Sequence, residues 1–265
     1  MFRLQVLESV DSTNEVIKRA IENGEPEGLA VRAYCQTGGY GRQGRAWESP
    51  RGGMYESVLL RPEVDMRELP TLALVVAPAV RRALASLVVE EQARRICIKW
   101  PNDVVLVEEG AAAHDGAPSV KNLYSKLAGI SSEVHAGGVC VGVGVNVEPP
   151  SERIEVSGKN APAYLTDLGF GFTCEHEAAV NAVGDAILRE FEPLYRRWCE
   201  GGFGVLASEF AEHSMLEGRF VRMANQMGDV VCEGTVQGVD AAGRLLLVDG
   251  RGSTIAAASG EVHLL

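Results

Sequence analysis

The chain has 265 residues, 46% of them hydrophobic, and a formal charge of −11 at pH 7. That length suits one large domain, or a domain with a small satellite, with enough chain to bury a sizeable core. The acidic balance excludes a general nucleic-acid or anionic-membrane binder, whose footprint is basic.

Taken in chain order, Phe2 to Val10 reads as a strand. Ser12 and Glu15 have capping-box spacing ahead of a helix from Asn14 to Glu22, which stops near Asn23-Gly24. Leu29 to Gln36 reads as a strand that leads into Gln36-Thr37-Gly38-Gly39-Tyr40-Gly41-Arg42-Gln43-Gly44-Arg45-Ala46-Trp47. This glycine-rich run is where positive charge collects. Between Val31 and Gly52, Arg32, Arg42, Arg45 and Arg51 face a single acid, Glu48. Glycines allow close backbone approach, arginines offer a donor fork to carboxylate or phosphate, and Trp47 offers a ring to a base. Gly39-x-Gly41-x-x-Gly44 matches the dinucleotide fingerprint in letters only. That fingerprint opens a helix, whereas Pro50, Gly52 and Gly53 follow here.

Met54 to Arg61 reads as a strand, in which Glu56 stands where an apolar residue is expected. Leu69 to Leu87 reads as a buried helix that Pro78 bends or restarts. Arg81 and Arg82 interrupt its apolar run, which argues against a membrane span. Ile96 to Trp100 is a strand stopped by Pro101-Asn102-Asp103, and Val104 to Val107 resumes it. Gly110 to Val120 suggests a hairpin tip, and Lys126-Leu127-Ala128-Gly129-Ile130 begins a returning strand. Along Val139 to Val147, valines fill one face while Cys140, Gly142, Gly144 and Asn146 fill the other. The stripped face serves either close packing or a ligand floor. Ala178 to Glu200 is an amphipathic helix with Val180, Val183, Ile187, Phe191 and Leu194 as core. Five short strands from Phe220 to Leu264 suggest a small barrel, with a boundary near Ser214. The six cysteines form no Cys-x-x-Cys pair, and the five histidines lack metal-ligand spacing. The thiols read as reduced, no metal-ligating residues are assigned, and no signal-peptide core is present, which together suggest a cytoplasmic protein.

In their order, Asp11-Ser12-Thr13-Asn14, the Gln36–Trp47 run, Lys99-Trp100-Pro101-Asn102-Asp103, Lys126 to Ile130 and Gly142-Val-Gly144-Val-Asn146 resemble the biotin protein ligases. The C-terminal Glu233-Gly234 to Leu247 stretch and Ser259-Gly260-Glu261-Val262 look like that family's SH3-like barrel. The resemblance implies an α+β fold: a mixed-sheet catalytic domain with flanking helices over 1–214 and a barrel over 215–265. It implies formation of biotinyl-5′-AMP from biotin and MgATP, then transfer to a lysine of a biotin carboxyl carrier protein such as that of acetyl-CoA carboxylase. On this resemblance Lys126, Arg42 and Asp103 are catalytic. Ser12, Thr13, Asn14, Gln36, Gly39, Tyr40, Gly41, Arg42, Lys126, Gly129 and Gly142 hold biotin, and Arg45, Trp47, Lys99, Asn102 and Asn146 hold the nucleotide. Asp103 orients the phosphates, the magnesium or the incoming lysine. Such residues suit a step that joins two anions and must shield a reactive anhydride from water.

Tyr40 stands where many relatives have arginine, and the segment between Asp103 and Lys126 is longer than usual in the family. Only ten or so residues precede Ser12, too few for a helix-turn-helix, so a ligase-only form that binds no DNA is expected. A lipoate or octanoate ligase or transferase of the same fold is the nearest alternative. Cys140 would be its candidate nucleophile. A non-enzymatic adaptor is a further alternative.

Overall fold

The structure is a computed structural model that describes residues 1–108, 123–150, 161–171 and 175–265. The expected Gly110–Val120 tip, most of the long 104–125 segment and Cys174 lie outside the described residues.

In chain order the elements are β1 (Arg3–Leu7), α1 (Thr13–Glu22), β2 (Leu29–Ala33), β3 (Gly53–Leu60), α2 (Leu72–Ser86) and α3 (Glu90–Ala93). Then come β4 (Ile96–Lys99), β5 (Asp103–Val107), β6 (Tyr124–His135), β7 (Gly138–Asn146), α4 (His176–Gly201) and α5 (Ala207–Ala211). The tail adds β8 (Phe220–Ala224), β9 (Val230–Val239), β10 (Leu245–Val248), β11 (Thr254–Ala257) and β12 (Glu261–Leu264). Strands β1 to β7 form one mixed sheet ordered β1-β2-β3-β7-β6-β5-β4, in which only the β1–β2 pair is parallel. The last five strands form an antiparallel sheet ordered β11-β10-β9-β8-β12.

The alternation along β7 decides which face of the large sheet is core. Val139, Val141, Val143 and Val145 join the main apolar cluster with α2 and α4. The five expected core residues of α4 are all buried there. Helix α1 covers one end of the opposite face, where Ile17 and Ile21 pack with Val31, Leu59 and Cys140. The Leu69–Ser86 stretch is apolar and long enough to cross a membrane, but it is mostly buried inside the fold. Pro78 lies inside a continuous α2, where it lacks the N–H that would reach back one turn.

Three expectations need correction. Ser12 is the N-cap of α1 and has extended backbone, but its side chain makes no capping bond. Glu15 instead accepts from the Tyr40 hydroxyl, so no capping box forms. Residues 104–107 do not resume the preceding strand. The chain reverses at Trp100-Pro101-Asn102, and β5 runs antiparallel to β4, with Lys99 opposite Asp103. Glu56 also gains a physical account. It is buried, and its Oε2 lies 2.7 Å from Nη2 of Arg32, itself 0% exposed. Arg32 also reaches Asp185 and Asn181 on α4. Gly184 makes room for it, since a Cβ there would fall 2.3 Å from Arg32 Nη2.

The two sheets meet at the β4–β5 hairpin. Ile98 N–H donates to the carbonyl of His213, Met215 N–H donates to that of Ile98, and Trp100 Nε1 donates to that of Gly243 at 3.0 Å.

Candidate active site

A cavity of about 1100 Å³ lies between the bare face of the large sheet, the glycine-rich loop and the C-terminal sheet. Its floor explains the glycines of β7. A Cβ on Gly142 would fall 2.3 Å from Asn14 Oδ1, and one on Gly144 would fall 2.7 Å from Trp47 Nε1. Across the β6–β7 ladder, a Cβ on Gly129 would fall 2.9 Å from Trp47 Cζ3. The stripped face therefore serves both expected purposes: it admits two side chains and lines the cavity.

One end is polar and neutral. Gln36 Oε1 accepts from the Thr13 N–H at 2.8 Å and from Thr13 Oγ1 at 3.0 Å, while its Nε2 donates to Ser49 Oγ. Ser57 Oγ lies 2.7 Å from both Thr13 Oγ1 and Asn14 Oδ1, and Asn14 Nδ2 donates to Ser131 Oγ. A ring of uncharged donors and acceptors held by one another suits a neutral polar group such as a cyclic urea.

The other end carries the charge. Lys126 Nζ lies 2.7 Å from Asp103 Oδ1 and 5.0 Å from the centre of the Trp47 ring. Its backbone is clamped on both sides: its N–H donates to Ala161, and its carbonyl accepts from Ala163 N–H and Asn146 Nδ2. The β5–β6 ladder shifts register between Val104 and Val105, which leaves Leu127 as an extra residue. A bulge resets the alternation, so Lys126 and Gly129 share a face despite their odd separation. Lys99 is buried with Nζ 5.5 Å from the Tyr124 ring centre, and that burial lowers its pKa, against the pull of Asp103. Arg42 is half-buried and donates to Asn102 Oδ1 at 2.9 Å, while Asn102 Nδ2 donates to the Ile130 carbonyl. Arg45 pairs with Glu261 of β12, so the loop also touches the C-terminal sheet.

Of the residues expected from sequence, Thr13, Asn14, Gln36, Tyr40, Gly41, Arg42, Arg45, Trp47, Lys99, Asn102, Asp103, Lys126, Gly129, Gly142 and Asn146 line this one cavity. Ser12 and Gly39 do not. Ser12 is buried behind Thr13, and Gly39 is packed so tightly that a Cβ would fall 2.3 Å from Ser49 Oγ. Ser57, Ser131 and Tyr124 line the cavity and were not anticipated. Neither serine stands out in the sequence, since Ser57 follows Glu56 and Ser131 is followed by Ser132. Among the described residues no group of three or more His, Cys, Asp or Glu could hold a metal ion.

The sequence profile of the biotin/lipoate A/B protein ligase family matches residues 6–148, more than half of the chain. The chain belongs to the biotin/lipoate A/B protein ligase family. Residues 218–265 match the biotin protein ligase C terminal domain, which marks the biotin branch of the biotin/lipoate ligases. The Mycobacterium tuberculosis biotin–[acetyl-CoA-carboxylase] ligase is 31% identical over 99% of this chain and 89% of its own. The bifunctional ligase/repressor of Bacillus spizizenii is 28% identical over 90% of this chain and 67% of its own. Among solved structures, the Aquifex aeolicus biotin protein ligase in complex with biotin and ATP superposes with a TM-score of 0.74. It is 27% identical and covers 100% of this chain, with 99% of its own length matched. Both sheets seen here are thus those of a biotin protein ligase.

Proposed function

We propose that the chain makes biotinyl-5′-AMP from biotin and MgATP and then transfers biotin to a lysine of a biotin carboxyl carrier domain, in the cytoplasm. The observation that carries this reading is the polarity of one cavity, with an uncharged hydrogen-bonding end around Thr13, Gln36 and Ser57 and a cationic end around Arg42, Lys99 and Lys126. Residues 1–214 form the catalytic unit and 215–265 the C-terminal unit.

In the first step an oxygen of biotin's carboxylate forms a bond to the α-phosphorus, and the bond to pyrophosphate breaks. Two anions must approach, and Lys126 and Arg42 offset their repulsion and stabilise charge developing at phosphorus. Trp47 supplies a face for the adenine, and Lys99 and Asn102 meet the phosphates. Magnesium arrives with ATP as part of the substrate. In the second step the acceptor amine attacks the carbonyl carbon, AMP leaves with the bond pair, and the amine loses a proton. Asp103 holds the Lys126 ammonium at the junction of the two substrates. The carrier of acetyl-CoA carboxylase is the acceptor that the M. tuberculosis relative's name points to.

Lipoate or octanoate transfer is disfavoured by the C-terminal match and by Cys140. That thiol is buried on the α1 side, donates to Asn14, and is raised well above the usual thiol range by burial, so it is no nucleophile. The deciding test is exchange of radiolabelled pyrophosphate into ATP with biotin, lipoate or octanoate added in turn. Exchange with biotin alone is expected, and exchange with none of the acids would overturn the adenylation reading.

A further inference from the structure

Residues 38–47 fold as a miniature hairpin over the cavity. Gly41 N–H donates to the Arg45 carbonyl at 2.8 Å, Trp47 N–H donates to that of Gly39 at 2.9 Å, and Tyr40 bridges to Ala46. The turn at Arg42–Gly44 carries Gln43 at a φ of 60°. Arg45 N–H also donates to the Arg42 carbonyl and Gly38 N–H to that of Asp11, yet four backbone bonds are little to hold a loop of this size, since each contributes only about 1 kcal/mol net. Side chains must do the rest. Arg42 ties the tip to Asn102, and Arg45 reaches Glu261, but that second pair is largely exposed and so worth little.

The strongest tie is at Tyr40. Its hydroxyl donates to Glu15 Oε1 at 2.6 Å and accepts from Lys18 Nζ at 2.7 Å. Lys18 Nζ also lies 2.6 Å from Glu133 Oε2 on β6, and 5.1 Å from the centre of the Tyr40 ring. Lys18 is only 16% exposed. One phenol thus joins the loop to α1, and through Lys18 to β6. Both bonds to the phenol have a charged partner, the stronger class of hydrogen bond. Burial, and next the bond to Glu15, push the Tyr40 hydroxyl up to about 12, so it keeps its proton at neutral pH. Burial works against the charge on Lys18, yet Glu133 and Tyr40 carry its pKa above the ordinary lysine range. A cation at position 40 would face this ammonium, whereas a phenol both accepts from it and donates to the carboxylate beside it. Tyr40 and Lys18 are matched to each other.

We propose that Tyr40, Lys18, Glu15 and Glu133 form a latch that holds the glycine-rich loop shut and positions Arg42, so that Tyr40 is a positioning residue for retention of the adenylate. The adenylate part rests on the function proposed above; the latch itself does not. Tyr40 lines the cavity, whereas neither Lys18, Glu15 nor Glu133 does. Lys18→Met therefore acts on loop closure and leaves the cavity lining intact, and it separates the latch from any contact that Tyr40 makes within the cavity.

Two readouts test this in the full chain with Tyr40→Phe and Lys18→Met. Without ligand, tryptic cleavage after Arg42 and Arg45, followed by mass spectrometry, reads loop opening. Each variant is expected to be cut there about tenfold faster than wild type, the weight of one charge-assisted hydrogen bond, with cleavage elsewhere unchanged apart from the site that Lys18→Met removes. With biotin and MgATP, release of biotinyl-5′-AMP after a single turnover should quicken by a similar factor. The double variant should release no faster than the faster single one, because both remove the same tie. Wild-type cleavage at the loop in both variants overturns the latch. A faster-cut loop with wild-type release overturns the positioning role. Failure of the wild type to form any adenylate refutes the proposed function and leaves the cleavage result to decide the latch.

Discussion

Lys126 of β6 and Asp103 of β5 form an ion pair, Nζ to Oδ1 at 2.7 Å, and the same ammonium lies 5.0 Å from the centre of the Trp47 ring. Under the proposed function, the ion pair fixes a cation where the two anionic substrates meet. Lys126→Ala removes that cation and leaves the Asp103 carboxylate in its place. Biotin-dependent pyrophosphate exchange is expected to fall about 100- to 1000-fold, the range for loss of one preorganised charge. A rate within about threefold of wild type would show that Lys126 does not act on the adenylation step.

The glycine floor makes a second prediction. Gly144→Val places carbon where the indole now rests, 2.7 Å from Trp47 Nε1 at the Cβ alone. Overpacking of that kind costs about 1–3 kcal/mol, and the ring yields by lifting off the sheet. The KM for ATP should rise about tenfold or more, with the KM for biotin changed less. Equal rises in both constants would mean that Trp47 does not define the nucleotide side.

A third concerns Arg32 and Glu56. Burial raises the Glu56 carboxyl to about 7, while Arg32 pulls the other way. The folded chain then holds this proton more tightly than the unfolded one. The contribution is complete below the unfolded value near 4.5 and is lost as pH rises through about 7. Urea unfolding should show wild-type stability falling over that window relative to Glu56→Gln, which has no proton to lose. Glu56→Ala should cost about 1–3 kcal/mol, because it removes one buried partner of Arg32 and leaves Asp185 and Asn181 to hold the guanidinium. A Glu56→Gln profile that runs parallel to wild type would refute the titration.

The joint between the two sheets makes a fourth prediction by comparison of magnitudes. Arg45 and Glu261 are 57% and 40% exposed, so Glu261→Ala should change stability by no more than about 1 kcal/mol. Trp100 is 1% exposed, and its indole donates to the Gly243 carbonyl. Trp100→Phe strands that acceptor and should cost about 1–3 kcal/mol. Thermal unfolding of the two variants decides which contact holds the C-terminal sheet. A larger loss for Glu261→Ala would reverse the assignment.

Periodicity made most elements legible. The Val/Gly alternation of β7 marked both core and floor, and all five C-terminal strands were readable between their Gly and Asp turns. What could not be read depends on partners far along the chain. Glu56 looked misplaced because Arg32 and the α4 residues that complete its cluster come from different elements. The reversal at Trp100-Pro101-Asn102 was missed because residues on both sides of it are apolar and extended. The face of Lys126 was also unreadable, since strict alternation from Gly129 would turn it away and only the extra residue in β6 brings it back. Most of the motif residues line one cavity, Ser12 and Gly39 excepted, while Ser57 and Ser131 carry no motif and were found only by their place on the bare face.

The chain contains three tryptophans, and two of them, Trp100 and Trp198, are sealed in the core at 1% and 0% exposure. The third, Trp47, sits at the foot of the glycine-rich loop, on bare backbone and beneath an ammonium. Its emission is thus exposed to changes of polarity and charge that the other two do not feel. The protein carries its own optical probe: stopped-flow tryptophan fluorescence, without any added label, should follow the opening and closing of the loop in real time.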